Sequence, residues 1–190
     1  MKNYLYKNLK DYFVDDLIDS DTQIVFVLES PHNEEVKRGY PVAGKSGKDM
    51  SKVLFGIDES LGKLIYEKKI KNLGIINVSN YPLQMSAYED ETLEADMEFF
   101  EKIRQNPSLR KKQAPINSAI SKVMDSFKSR LAPHKDKKII LCGTFAQNAF
   151  DGVFNELSFK EVLRVPHPSF NQWLRASNKE VITKLEEFVS

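Results

Sequence analysis

The sequence predicts an α/β protein, with a three-layer α/β/α arrangement around a central, mostly parallel four-stranded sheet. Short apolar runs rich in β-branched residues alternate four times with segments of helical periodicity, and the connections are long enough for crossovers. The first apolar run, 23–28, has no polar alternation. That pattern is typical of a strand buried on both faces, as in a parallel sheet.

The periodicity of the chain gives the expected elements in order. We predict strands over 23–28, 73–78, 138–143 and 160–165. We predict helices over 3–19, 48–55, 61–70, 92–105, 116–131 and 145–150, and a last helix from about Ser177, with a basic link over 107–115. Two capping boxes are expected, Ser46 with Asp49 and Ser177 with Glu180.

Length and composition limit the possible classes of protein. A chain of 190 residues suits one domain, 1–190, with a sizeable core. The single cysteine, Cys142, excludes an intramolecular disulfide and a multi-cysteine metal site, and we expect it to be an inert core thiol. The sequence contains neither an apolar run of ~18 residues nor a signal peptide, so we expect a cytoplasmic protein without a membrane span. The net charge of +1 does not by itself indicate a nucleic-acid-binding protein. Binding through a local groove of clustered Lys and Arg is still an open alternative.

Polar side chains lie at the ends of three of the four predicted strands, and the other strand ends in Gly143-Thr144. Glu29 comes directly after the first strand, Asn77 lies near the end of the second, and His167 follows the fourth. The carboxyl ends of parallel strands meet at one edge of a sheet, where ligands bind in open α/β folds. We therefore expect a carboxylate, a carboxamide and an imidazole in one cleft, a set that can read a base edge and assist a leaving group.

Three ordered motifs identify a resemblance. They are Leu28-Glu29-Ser30-Pro31-His32 followed by Gly39-Tyr40-Pro41-Val42-Ala43-Gly44-Lys45-Ser46-Gly47, then Gly143-Thr144-Phe145-Ala146, and then His167-Pro168-Ser169. In this order they resemble the uracil-DNA glycosylase superfamily, one branch of which has Gly-Glu-Ala-Pro-Gly and then Gly-x-Pro-Phe-Val-Gly-x-Ala-Gly. The resemblance extends from residue 24 to about 175. It implies a uracil-DNA glycosylase-like domain that acts as a monomer on damaged or single-stranded DNA in base-excision repair, without metal or cofactor.

The resemblance also implies a role for individual residues. His167 would donate a hydrogen bond to the departing base, and Asn77 would select its edge. Glu29 would position water or stabilise the sugar cation, with Ser30 as a second candidate. Further base contacts would come from Pro31, His32, Tyr40 and Val42. Contacts to the DNA backbone would come from Gly44, Ser46, Gly47 and Ser169, and the side chain inserted into DNA would be Trp173 or Leu174.

Two other functions remain open. The ring-stacking aromatic of the family aligns with Val42, and the aspartate of some members aligns with Ser30, so the fold could bind nucleic acid without turnover. Residues 39–46 also match the phosphate-loop pattern of nucleotide triphosphatases. That interpretation is less favoured, because Gly39 comes ten residues after Glu29 rather than directly after a strand.

Each singled-out residue also has a purely structural interpretation. Glu29 could cap a helix or pair with a lysine, and Asn77 could form an Asx turn. His167 could be a rigid-turn histidine between two prolines, and His32 a turn residue or a pocket group. Trp173 could belong to the core.

Overall fold

The computed structural model describes residues 7–88, 101–105 and 119–190. Its sheet has four strands, all paired in parallel in the order β2-β1-β3-β4. The strands are β1 (Ile24–Leu28), β2 (Leu73–Asn77), β3 (Lys138–Cys142) and β4 (Glu161–Val165). The strand predictions are confirmed to within a residue or two at each end.

Helices connect and cover these strands. They are α1 (Asn33–Arg38), α2 (Lys45–Phe55), α3 (Leu61–Tyr66), α4 (Ala119–Leu131), α5 (Gly143–Val153) and α6 (Lys179–Val189). Residues 101–105 are also helical. Short 3₁₀ turns occur at Lys7–Tyr12, Met85–Ala87, Ala132–His134, Glu156–Ser158, Ser169–Leu174 and Ala176–Asn178.

The core consists of two apolar clusters, one on each face of the sheet. Successive residues of a strand point to opposite faces, so Val25 and Val27 join one cluster while Phe26 and Leu28 join the other. The first cluster packs against α4 and α5 through Phe127, Leu131 and Phe150. The second packs against α2, α3 and α6 through Met50, Leu61, Ile65, Ile182 and Leu185. The predicted three-layer α/β/α fold is therefore confirmed.

Cys142 ends β3 inside the second cluster and is fully buried. Burial raises the pKa of its thiol, because the thiolate would lose its hydration there. An apolar, protonated thiol behaves as a small core residue, as the sequence predicts.

The helix predicted over 3–19 is wrong for residues 13–19. Within the described part of this segment, 7–19, the only helical residues are Lys7–Tyr12, which form a 3₁₀ turn, and the following chain runs along the edge of β2. Leu17 forms an antiparallel bridge with Ile75, through backbone hydrogen bonds of 2.9 and 2.8 Å. The edge strand offers unpaired backbone groups, and pairing with them competes with helix formation.

The ends of several helices also differ from the predictions. Gly44 and Asn178 are the N-caps of α2 and α6, so the boxes predicted at Ser46 and Ser177 do not form. Helix α1 was missed, because its six residues are too short for an apolar stripe. The predicted helix over 92–105 is confirmed at 101–105. The rest of that helix, the basic link at 107–115 and the start of the 116–131 helix lie outside the described residues.

The strand order creates a switch point between β1 and β3. The chain leaves β1 for β2 on one side and then crosses to β3 and β4 on the other. In open α/β sheets the crevice at such a point, beyond the carboxyl ends of the strands, is where ligands bind. Within the described ranges, no helix combines the length and apolar character needed to cross a bilayer.

Candidate active site

A cavity of about 1090 Å³ opens beyond the carboxyl ends of the strands. It brings together most of the predicted site residues: Glu29, Ser30, His32, Val42, Gly44, Ser46, Asn77, His167 and Ser169 all line it. Pro31, Tyr40, Gly47, Trp173 and Leu174 do not line it. The convergence expected from the strand ends is therefore present for the carboxylate, the carboxamide and the imidazole.

Glu29 enters the cavity directly after β1 and is held by an arginine. Nε of Arg104 donates to Oε1 of Glu29 over 2.9 Å, and Arg104 also lines the cavity. Arg104 belongs to the helical stretch 101–105, where Glu101 accepts a hydrogen bond from the backbone N–H of Met85. Of the interpretations left open for Glu29, ion pairing is the one observed, with an arginine in place of a lysine.

Asn77 is the last residue of β2, opposite Leu28, and only 4% of its surface is exposed. The pairing of β1 with the chain after β2 continues past it. The backbone N–H groups of Val78 and Ser79 donate to the carbonyls of Leu28 and Glu29, over 2.9 and 3.1 Å. Asn77 is therefore presented to the cavity from regular strand pairing and not from a turn.

His167 follows β4 and has a defined tautomer. Its Nδ1 accepts the backbone N–H of Ser169 over 3.2 Å and lies 2.8 Å from Oγ of Ser169. A backbone N–H can only donate, so this pattern places the proton of the neutral ring on Nε2. Burial, and secondarily the charge of His32, lower the pKa of His167 to about 4. At neutral pH the ring is thus an uncharged hydrogen-bond donor.

Gly143, the first residue of α5, makes room for His167. A Cβ on Gly143 would lie 2.7 Å from Cβ of His167, and the backbone there has φ of +85°. Both the space and the left-handed conformation require glycine. The imidazole is therefore packed against the bare backbone at the end of β3.

The loop 39–44 is pressed against two helices at glycine positions. A Cβ on Gly47 of α2 would lie 2.0 Å from the carbonyl oxygen of Val42, and a Cβ on Gly62 of α3 would lie 1.9 Å from that of Pro41. Val42 is buried and has a left-handed φ of 56°. Gly47 thus serves loop packing and does not face the cavity.

Tyr40 is turned away from the cavity. Its ring stacks on that of Tyr66, with the centroids 4.9 Å apart, and it is buried. A stacking ring for a base therefore does not come from Tyr40, and Val42 occupies the lining position.

The N-terminus of α2 contributes Gly44, Lys45 and Ser46 to the cavity wall. Nζ of Lys45 donates to the carboxylate of Asp49 and, over 2.8 Å, to Oδ1 of Asn171. The loop before α2 begins at Gly39, which ends α1 in the left-handed conformation. A phosphate loop of the nucleotide triphosphatases follows a strand, so this helix-to-helix loop is a different structure.

The segment after His167 contains one correction and one missed residue. Trp173 is 3% exposed and donates from Nε1 to the carbonyl of Pro166, so it belongs to the core and is wrong as an inserted side chain. Leu174 is exposed but lies outside the cavity wall. Phe170 is 83% exposed and lines the cavity, with a left-handed φ of 55°.

A family model for the uracil DNA glycosylase superfamily matches residues 16–188. The chain belongs to this superfamily. No curated protein matches the chain. The matched range contains β1 to β4 and every residue of the cavity wall named above.

In this member of the uracil DNA glycosylase superfamily, the site contains groups that the sequence did not reveal. They include Glu35, Arg104 and Phe170, which lack a motif of their own. Burial raises the pKa of the Glu35 carboxyl, which also accepts the backbone N–H of His32 over 2.9 Å. Phe170 directly follows the His-Pro-Ser motif, and this position was the one sequence feature that could have indicated its place in the site. Among the residues described by the structure, no group of three or more His, Cys, Asp or Glu is placed to hold a metal ion.

Proposed function

We propose that the protein is a DNA glycosylase that hydrolyses the N-glycosidic bond of a flipped uracil or another damaged base, as a step of base-excision repair. One observation carries the proposal: Glu29, Asn77 and His167, from three strand ends far apart in sequence, line one cavity. Family membership supports DNA as the partner.

The size of the cavity suits an extruded nucleotide. A base can be cleaved only after it leaves the stack, at a cost of a few kcal/mol. A volume of about 1090 Å³ lies just above the ~300–1000 Å³ range of ligand pockets. It therefore accommodates a base together with its sugar.

His167 would assist the departure of the base. When the C1′–N bond breaks, its electron pair goes to the base, and negative charge develops on the base oxygens. The neutral ring with its proton on Nε2 can donate a hydrogen bond to such an oxygen. A fixed donor aimed at developing charge lowers the barrier without needing to reorganise.

Glu29 would act at the sugar. The carboxylate can stabilise the cationic sugar and orient the water whose oxygen forms the new bond to C1′. Arg104 holds it in place through the 2.9 Å contact with Oε1, and Oε2 would hold the water. Ser30 is less suited to this task, because its Oγ is engaged by the backbone N–H of Leu83 at 3.4 Å.

Asn77 would select the base. A carboxamide offers one acceptor oxygen and two N–H donors, so it can pair with a base edge that presents both kinds of group. Val42 lines the same cavity as an aliphatic side chain. Selection of the base would therefore depend on the amide, because the position of the family's ring-stacking aromatic holds an aliphatic side chain.

The test is base release from oligonucleotides that carry uracil, hypoxanthine, xanthine or a mismatch. We expect wild-type protein to release at least one of these bases, and His167→Ala to lose about 10²–10³-fold in rate, the cost of removing one such donor. Asn77→Ala should lose activity as well. Lys184→Ala, which breaks only an exposed pair with Glu180 on α6, is the control and should retain the wild-type rate.

Two results would contradict the proposal. One is release that is unaffected by both site variants. The other is no release by wild-type protein from any substrate. Binding to single-stranded DNA in that second case would indicate a nucleic-acid-binding member without turnover, in keeping with Val42 at the position of the ring-stacking aromatic.

A further inference from the structure

Arg130, on α4, makes a dense set of hydrogen bonds at the end of β2. Nη1 donates to the backbone carbonyl of Asn77 over 2.8 Å, and Nη2 donates to that of Val78 over 2.8 Å. Nη1 also lies 2.9 Å from both carboxylate oxygens of Asp16. One guanidinium thus joins α4, the N-terminal segment and the strand that carries Asn77.

The place of Arg130 follows from the sheet topology. β2 is an edge strand, so its outer backbone groups have no strand partner. The N-terminal segment pairs with this edge at Ile75 through Leu17, and again at Asn80, whose carbonyl accepts the N–H of Val14 over 2.9 Å. Between these two points the carbonyls of Asn77 and Val78 accept hydrogen bonds from the Arg130 guanidinium and not from the N-terminal segment.

Burial makes this arrangement specific to arginine. The side chains of Arg130 and Asp16 are both largely buried. Burial raises the pKa of Asp16, while the charge of Arg130 and hydrogen bonds from Arg130, Asn80 and the Asn77 backbone oppose that rise. The planar guanidinium presents its donors on separate nitrogens, so Nη1 and Nη2 reach two different carbonyls, whereas all three donors of a lysine ammonium lie on one nitrogen.

We propose that Arg130 is a positioning residue that fixes the backbone from which Asn77 presents its carboxamide to the base. The inference rests on the proposed function for the role of Asn77. Arg130 is absent from the wall of the large cavity and lines a separate one of about 310 Å³. It therefore acts through Asn77 and not by touching the substrate.

The test is a double-mutant cycle with Arg130→Lys and Asn77→Ala, measured as kcat/KM on the preferred lesion. Arg130→Lys keeps a cation beside Asp16 but loses the fork. We expect it to lose about 10–100-fold, the cost of misplacing a site group by about 1 Å. The kcat/KM of the double variant should match that of Asn77→Ala to within about threefold. Arg130 acts only by placing the Asn77 amide, so its substitution has no further effect once that amide has been removed.

The double-mutant cycle needs a control variant for the loss of an arginine fork elsewhere in the fold. Arg164→Lys, on the opposite edge strand, alters an arginine that is paired with Asp151 and Glu156, and it should keep the wild-type kcat/KM. Losses that multiply in the double variant would overturn the inference, because they would mean that Arg130 acts independently of Asn77.

A second measurement separates this inference from the proposed function. If wild-type protein releases no base, the proposed function fails, and the side-chain amide signals of Asn77 in ¹H–¹⁵N spectra decide the inference. These signals are assigned by their loss in Asn77→Ala. They should shift in folded Arg130→Lys and stay in place in Arg164→Lys. Unchanged Asn77 signals in Arg130→Lys would refute the positioning role.

Discussion

Phe170 exposes an apolar ring at the rim of the cavity, and its backbone holds an unfavourable conformation to do so. Both Phe170 and Asn171 have left-handed φ angles, 55° and 56°. Such strain persists only where neighbouring contacts maintain it, and Lys45 holds Asn171 by the 2.8 Å hydrogen bond across the cavity rim. Exposed aromatic or aliphatic side chains in this setting can enter a DNA stack as a wedge.

We predict that Phe170→Ala weakens binding of lesion-bearing DNA by about tenfold, the value of one lost stacking contact of ~1–3 kcal/mol. Stability should change little, because 83% of the residue is exposed. Fluorescence anisotropy and thermal melting measure the two quantities. Leu157→Ala is the control, since Leu157 is 91% exposed but lies outside the cavity wall. Equal effects of the two variants would contradict the role of Phe170.

Residues were predictable where a local pattern placed them. Glu29, Asn77 and His167 each lie at or just after the end of a strand, so the alternation of strands and helices was enough to predict that they meet. Arg104 and Arg130 were missed because their contacts to Glu29 and Asn77 span 75 and 53 positions of the chain. The sequence does not decide between core and surface for Trp173, since it does not show which side of the 3₁₀ turn faces Phe26.

At the scale of elements, the start of α5 determines where the histidine loop can lie. Gly143 has no side chain, and the backbone after β3 therefore approaches His167 closely. The C-terminus of α2 provides a natural comparison. Gly56 has a similar φ of +68°, but a Cβ added there would have no neighbouring atom within 4 Å.

We predict that Gly143→Ala is more damaging than Gly56→Ala. Both substitutions place alanine in a left-handed conformation, which costs about 1–2 kcal/mol. Gly143→Ala additionally drives a methyl group into His167, so it should also lower the rate of base release by about 10²-fold. Urea unfolding and base-release assays measure the two effects. Full activity in a folded Gly143→Ala protein would show that the approach is not needed.

The elements themselves were predicted unevenly, for physical reasons. β1, β2 and β3 are largely continuous apolar runs with polar residues at their ends, so their type and approximate bounds follow from the sequence. The segment after Tyr12 has helical spacing, but hydrogen bonding to the edge of β2 outweighs that local preference. Helix starts were displaced because Gly44 and Asn178 cap them in place of the predicted serines.

At the scale of the whole molecule, the site depends on pairing between distant parts of the chain. β1 pairs with β3, so that Ile24 lies beside Lys138. β4 pairs with the other side of β3, and His167 follows the end of β4. The parallel arrangement was predictable from the order of elements. The chemical state of the site was not, because the pKa of His167 depends on burial that only the assembled fold creates.

That buried histidine gives the stability of the fold a defined pH dependence. The pKa of His167 is about 4 in the folded protein, against an ordinary value of 6.5. Above pH 6.5 the ring is neutral in both states and contributes nothing. As the pH falls from 6.5 to about 4, the unfolded chain takes up a proton that the folded chain does not, so stability is lost.

We predict that this loss reaches about 3 kcal/mol for wild-type protein and is missing from His167→Gln. Urea unfolding at a series of pH values measures the difference between the two proteins. That difference should be constant above pH 6.5 and change steadily between pH 6.5 and 4. A constant difference across the whole range would show that the ring is not kept neutral by burial.

The single cysteine of the chain is buried at the end of the inner strand β3, out of reach of thiol reagents and with its ionisation suppressed. The wild-type protein is therefore already a background for attaching one spectroscopic label at a chosen place. A Phe170→Cys variant would carry its only reactive thiol at the rim of the cavity. A nitroxide or fluorophore there would report whether the loop around residue 170 changes its position or mobility when DNA is added.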